Sequence, residues 1–104
     1  MALTRNFKET VKARVARDPA FRKALLAEAI ECMLVGELET GKAVLRDYIN
    51  ATVGFERLGR EIGTSPKSLM RMFGPKGNPR ASNLFAVIRC LQKTSRVHLA
   101  VAVQ

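Results

Sequence analysis

The chain has no tryptophan, one tyrosine and one histidine among its 104 residues, and aromatic residues make up only 6% of it. Aliphatic side chains must therefore build the core. With His98 as the single histidine there is no His-assisted nucleophile, and no acidic pair stands in a candidate cleft. No catalytic residue is assigned, and the chain reads as a non-enzyme. Cysteine is equally scarce. Cys32 and Cys90 lie far apart, each inside an apolar helical pattern, and read as small core residues in a reducing compartment. A metal site would need further ligands, so neither a metal nor a cofactor is expected. No apolar run approaches the ~20 residues of a membrane span, and no signal peptide precedes the first helix. The expectation is a cytoplasmic protein without a membrane partner.

Acidic residues are also few: 9 Asp and Glu stand against 18 Lys and Arg, a net charge of +9. Their placement matters more than their number. Residues 1–53 carry nine bases against seven acids, a net of +2, and residues 54–104 carry nine against two, a net of +7. An excess gathered on one half points to a polyanion partner. Hydrophobic residues at 47% exclude a wholly disordered chain, and the length suits one domain.

Read in order, Thr4 can cap a first helix carrying Phe7, Val11 and Val15 at four-residue spacing. Asp18-Pro19 restarts the chain, Asp as N-cap and Pro at the first helical position. The second helix runs to about Val35, with Phe21, Leu25, Ala29, Cys32 and Met33 inward, and Gly36 ends it. A third covers about Leu38 to Asn50, burying Leu38, Leu45, Tyr48 and Ile49. Across its start, Gly36 to Lys42 fits the G-x-x-x-x-G-K spacing of a phosphate-binding loop. Ala43 replaces the metal-binding Ser or Thr, the preceding segment is helical, and Glu37 and Glu39 would face phosphate. The match is read as chance.

The segment from Gly54 to Leu91 organises the rest. Phe55, Leu58 and Ile62 give a short helix one apolar face, and Gly63 can end it in the left-handed conformation. Ser65 then stands where an N-cap belongs and Pro66 at the first helical position. Leu69 and Met72 or Phe73 form the inner face of a second short helix, about Pro66 to Phe73. Two short helices around a glycine turn make a helix-turn-helix, whose second helix can enter a major groove. Asn78-Pro79 repeats the cap-plus-proline signal and opens a last helix through Leu84, Val87, Ile88 and Leu91. After Thr94, Val97, Leu99, Val101 and Val103 alternate with polar or small residues, the period of a strand. A lone strand would pair with a twin copy, pair with a partner protein, or fray.

This segment resembles the helix-turn-helix of the Cro/lambda-repressor-like DNA-binding domains through Leu58, Gly59, Gly63, Ser65 and Leu69, followed by Pro79, Leu84, Val87, Ile88 and Leu91. It is most similar to the addiction-module antidote (antitoxin) branch, through Ser68-Leu69, Gly77-Asn78-Pro79 and Val97-His98-Leu99. Many relatives carry an acidic residue and Asn-Gly after the recognition helix, where this chain has Phe73-Gly74-Pro75. The expectation is an all-α fold of about six helices. Residues 1–36 form a helical extension, 37–94 a repressor-like core and 95–104 a C-terminal strand or tail.

The expected function is sequence-specific binding to operator double-stranded DNA as a transcriptional regulator, with a homodimer reading two half-sites. Pro66, Lys67, Ser68 and Arg71 are the candidates for contact with bases, and Ser65, Lys76, Asn78 and Arg80 for contact with the DNA backbone. The resemblance implies, more narrowly, an antitoxin that represses its own operon and binds a toxin of the messenger-RNA-cleaving kind. A protein-interaction scaffold without DNA binding, or an RNA-binding protein, is the alternative; no aromatic platform for stacking bases is visible.

Overall fold

The structure, a computed structural model, describes the backbone from Arg5 to Gln104 and the side chains from Thr10 onward. Six helices follow one another: α1 (Arg5–Arg17), α2 (Pro19–Leu34), α3 (Leu38–Ala51), α4 (Gly54–Ile62), α5 (Pro66–Met72) and α6 (Ala81–Ser95). Thr4, expected to cap α1, lies outside the described residues, as does the side chain of Phe7. No described helix is long and apolar enough to cross a membrane.

The local signals act where the sequence places them. Asp18 takes an extended backbone and its carboxylate accepts from the Phe21 amide at 3.1 Å, with Pro19 opening α2. That amide bond is the main reason the Asp18 carboxyl is held below its ordinary pKa, with Arg14 adding to it. Ser65 caps α5 in the same way, accepting from the Ser68 amide, with Pro66 behind it. Gly63 closes α4 at φ 75°, a conformation that an L side chain resists. The chain then has only Gly63, Thr64 and Ser65 in which to reverse.

Packing radiates from α3, which lies against α1, α2 and α4, while α4 carries α5 and α6. Gly41 lets α2 and α3 close together: a β-carbon there would stand 2.6 Å from Met33 Cγ and 2.9 Å from the Ala29 carbonyl oxygen. One core cluster results, to which α2 gives Leu26 and Ala29, α3 Leu45, Tyr48 and Ile49, α4 Phe55 and Leu58, α5 Leu69, and α6 Val87, Cys90 and Leu91. The radius of gyration, 13.2 Å, is near the ~13 Å expected for a compact chain of this size, so α1 and α2 pack on the rest.

Several expectations need correction. Leu25 packs partly buried against the core as expected, but Leu26 beside it, absent from the inward set expected of α2, is the fully buried one. Leu38 is 39% exposed, because it stands at the first position of α3, beside a turn whose Leu34 and Val35 are also uncovered. Phe73, just past the end of α5, is buried, whereas Met72 is half-buried. The last helix starts at Ala81, capped by the backbone of Arg80 without a side-chain bond, so Asn78 and Pro79 belong to its approach. Proline's fixed φ suits an extended approach as well as a helix start.

The C-terminal strand does not form. A strand needs a neighbour to bond, and the described residues, whose elements are all helices, offer none. Arg96 ends α6 in the left-handed region at φ 56°, and the Val97 amide returns to the Gln92 carbonyl. Val97 and Leu99 then pack against the core, and the Leu99 amide donates to Gln92 Oε1 at 2.8 Å. The sequence alternation is thus real, but α6 receives it. Val101 and Val103 project into solvent.

Two outcomes test this description. A β-carbon at Gly59 would collide with the Thr64 carbonyl oxygen inside the α4–α5 turn, whereas one at Gly74 would make ordinary 3.4 Å contacts. Gly59→Ala should lower the unfolding free energy in urea by about 1–3 kcal/mol, and Gly74→Ala should lower it far less. The lowered Asp18 pKa gives stability that is present above its ordinary value near 3.8 and is lost as pH falls through the folded value. Asp18→Ala should therefore be less stable than the parent at pH 7, with the gap narrowing in acid melts.

Candidate nucleic-acid interface

The residues proposed to contact bases lie on α5 or at its start. Leu69 is fully buried and fixes which side faces inward. Lys67 and Arg71, one turn apart, are both exposed on the outer side. Met70 beside them is half uncovered. Pro66 and Ser68 are partly buried. Ser65 is exposed, but its hydroxyl caps the helix and donates to Ser68 Oγ at 2.9 Å, so its proton is already committed.

Lys76, Asn78 and Arg80 stand exposed in the segment joining α5 to α6. This loop folds back on the last turn of α5. A β-carbon at Gly77 would overlap the carbonyl oxygens of Arg71 and Met72, so only glycine permits the approach. The ion pairs of the described residues are Arg14–Asp18, Lys42–Glu39 and Arg57–Glu61. None engages Lys67, Arg71, Lys76 or Arg80, whose charges stay available to an outside anion.

What holds the loop comes from α3. Lys42 is 1% exposed, and its ammonium donates to the Gly74 carbonyl at 3.0 Å and the Gly77 carbonyl at 2.6 Å. Its third contact is Glu39 Oε2 at 3.1 Å. An ammonium has three donors, so each finds an acceptor. One turn along α3, Arg46 Nη1 donates to the Phe73 carbonyl at 2.9 Å. The backbone leaving α5 is thereby tied at Phe73, Gly74 and Gly77.

Sequence reasoning missed Lys42 and Arg46. A signal existed for Lys42: it lies three residues before Leu45 and seven before Ile49, on the buried stripe of α3. The phosphate-loop spacing drew attention to the same lysine for a different chemistry, but its ammonium faces backbone carbonyls. Both cysteines are free and buried, and burial raises the pKa of each thiol; at Cys32 the neighbouring Glu28 raises it further.

No family model, curated protein or solved structure matches the chain.

Replacing Lys42 with methionine keeps the stem but leaves two carbonyls without their charged donor. Lys42→Met should lower the unfolding free energy by about 2–4 kcal/mol. It should also shift the amide resonances of Phe73, Gly74, Lys76 and Gly77 more than those of α4. Equal stability, with unmoved loop resonances, would show that the loop holds itself.

Proposed function

We propose that the chain is a sequence-specific double-stranded DNA-binding transcriptional regulator. The observation that carries this reading is the outer face of α5, where Lys67 and Arg71 project unpaired from a helix set on the core by Leu69. An arginine or lysine in that position can donate to guanine O6 and N7 in the major groove. Lys76 and Arg80 follow in a loop tied down by Lys42, suited to phosphates that fix register without reading sequence. The net charge of +7 on residues 54–104 supports the same partner. One helix-turn-helix reads a half-site, so a homodimer on two half-sites is part of the proposal. The antitoxin reading adds a toxin partner on the strength of the resemblance alone. Leu34 and Val35, each 72% exposed at the end of α2, are the apolar surface the extension offers it.

Alanine variants titrated on operator and scrambled duplexes at several salt concentrations test the assignment. Lys67→Ala and Arg71→Ala should each cost roughly 1–3 kcal/mol and relax preference at one or two positions of the site. Lys76→Ala and Arg80→Ala should weaken all duplexes about equally and reduce the slope of log K against log salt by about one. If Arg71→Ala weakens both duplexes by one factor while Arg80→Ala erases operator preference, the loop, not α5, lies in the groove.

A further inference from the structure

A second basic site lies where the chain ends of several helices meet. A cavity of about 360 Å³ opens between the end of α1, the start of α2, the α3–α4 turn and the end of α6. Arg22, Arg57 and Arg96 line it with Thr52, Thr94 and Ser95, and no carboxylate is among the lining residues. We propose that this cleft binds a phosphate group, held by the guanidinium groups of Arg22, Arg57 and Arg96.

The ends of α1, α3 and α6 bring backbone carbonyls to this region, and a helix C-terminus carries partial negative charge. Several of those carbonyls are already occupied. At α1 the Arg14 carbonyl accepts from the Asp18 amide and the Val15 carbonyl from Arg22. The Tyr48 carbonyl accepts from Thr52 Oγ1 at 2.8 Å and the Leu91 carbonyl from Thr94 Oγ1 at 3.3 Å. The Ile49 carbonyl accepts from the Thr52 amide, and those of Gln92 and Lys93 accept from the Arg96 amide. The hydroxyl protons of Thr52 and Thr94 are spent in these bonds, and Ser95 is paired with Tyr48. The arginines therefore carry the site.

Their own partners leave capacity. Arg22 donates Nη1 to the Val15 carbonyl at 2.7 Å, which orients its plane and leaves its other donors unspent. Arg57 meets Glu61 only at 3.8 Å, across an exposed surface where such a pair is weak. Arg96 has no ion pair among the described residues. Three arginines among the lining residues, with no carboxylate in the lining itself, suit the tetrahedral oxygens of phosphate better than a single carboxylate. Arg22 comes from α2 and Arg57 from the helix before the proposed reading helix, so the site joins the extension to the core.

The test uses the full chain and inorganic pyrophosphate. Arg96→Gly removes one guanidinium at a left-handed position that glycine favours, so the variant folds as well as the parent or better. Arg57→Gln removes a second from an exposed helix face. Calorimetric titration should show saturable pyrophosphate binding by the parent and a loss of at least about tenfold in the double variant, as expected for losing charged hydrogen bonds. Absence of saturable binding in the parent, or equal affinity in a folded double variant, overturns the proposal. Duplex titrations of the same proteins separate the sources of the phosphate. A lower salt slope for the double variant assigns it to the DNA backbone, and unchanged duplex binding assigns it to a free phosphate compound. Pyrophosphate binding is measured without DNA, so the site stands or falls independently of the DNA-binding reading.

Discussion

The Lys42 ammonium is the interaction on which the proposed interface depends. Burying a charge is unfavourable unless it is paired and fully hydrogen-bonded. Here the cost is met by two carbonyls of one loop and a carboxylate one turn away on α3. Glu39 is largely exposed, so its share is modest, and the carbonyls are the stronger partners. Because both belong to residues 74–77, the lysine cannot be satisfied unless that loop takes this path. A buried charge thus selects one loop conformation from the many that a Gly-Pro-Lys-Gly segment could adopt.

Two close backbone approaches complete the constraint. Gly59 lies under the Thr64 carbonyl and sets how tightly α4 turns into α5, while Gly77 lies on the last carbonyls of α5. The short helix α5 is therefore gripped at its start by the Ser65 cap, along its inner side by Leu69, and at its end by the returning loop. Seven residues could not hold a helix in water by propensity alone. Tertiary contacts supply what length does not, and the exposed side chains between these grips are left free to vary.

This division explains which parts were legible in the sequence. Helix starts marked by a capping side chain plus proline, at Asp18 and Ser65, were readable because one residue's chemistry suffices to make them. So was the end of α4 at Gly63, and so was the all-helical character with six helices. Asn78-Pro79 carries the same signal, yet the helix starts later, and one local motif cannot tell an extended approach from a cap. The alternating tail shows the same limit: period two was correct for which residues face inward at Val97 and Leu99, but pairing needs a neighbour that no residue of the tail specifies. Lys42 was hidden because its acceptors are backbone atoms 32 and 35 residues away, and a carbonyl leaves no trace in residue identity. The arginine cleft was hidden for a related reason, since Arg22, Arg57 and Arg96 come from three distant segments.

The same geometry has an electrostatic consequence for a polyanion approaching the loop. The end of a helix and the carbonyls beyond it present partial negative charge, which would repel phosphates near Lys76 and Arg80. Lys42 and Arg46 engage the carbonyls of Phe73, Gly74 and Gly77 from the inside of the molecule. Each such bond places positive charge behind a carbonyl that would otherwise oppose the ligand. An apolar residue at position 42 could fill the space, but it would leave the Gly74 and Gly77 carbonyls without their donor. It could not supply this field. The full charge at this buried position holds the loop's path and, under the proposed reading, also sets the field that an approaching phosphate would meet.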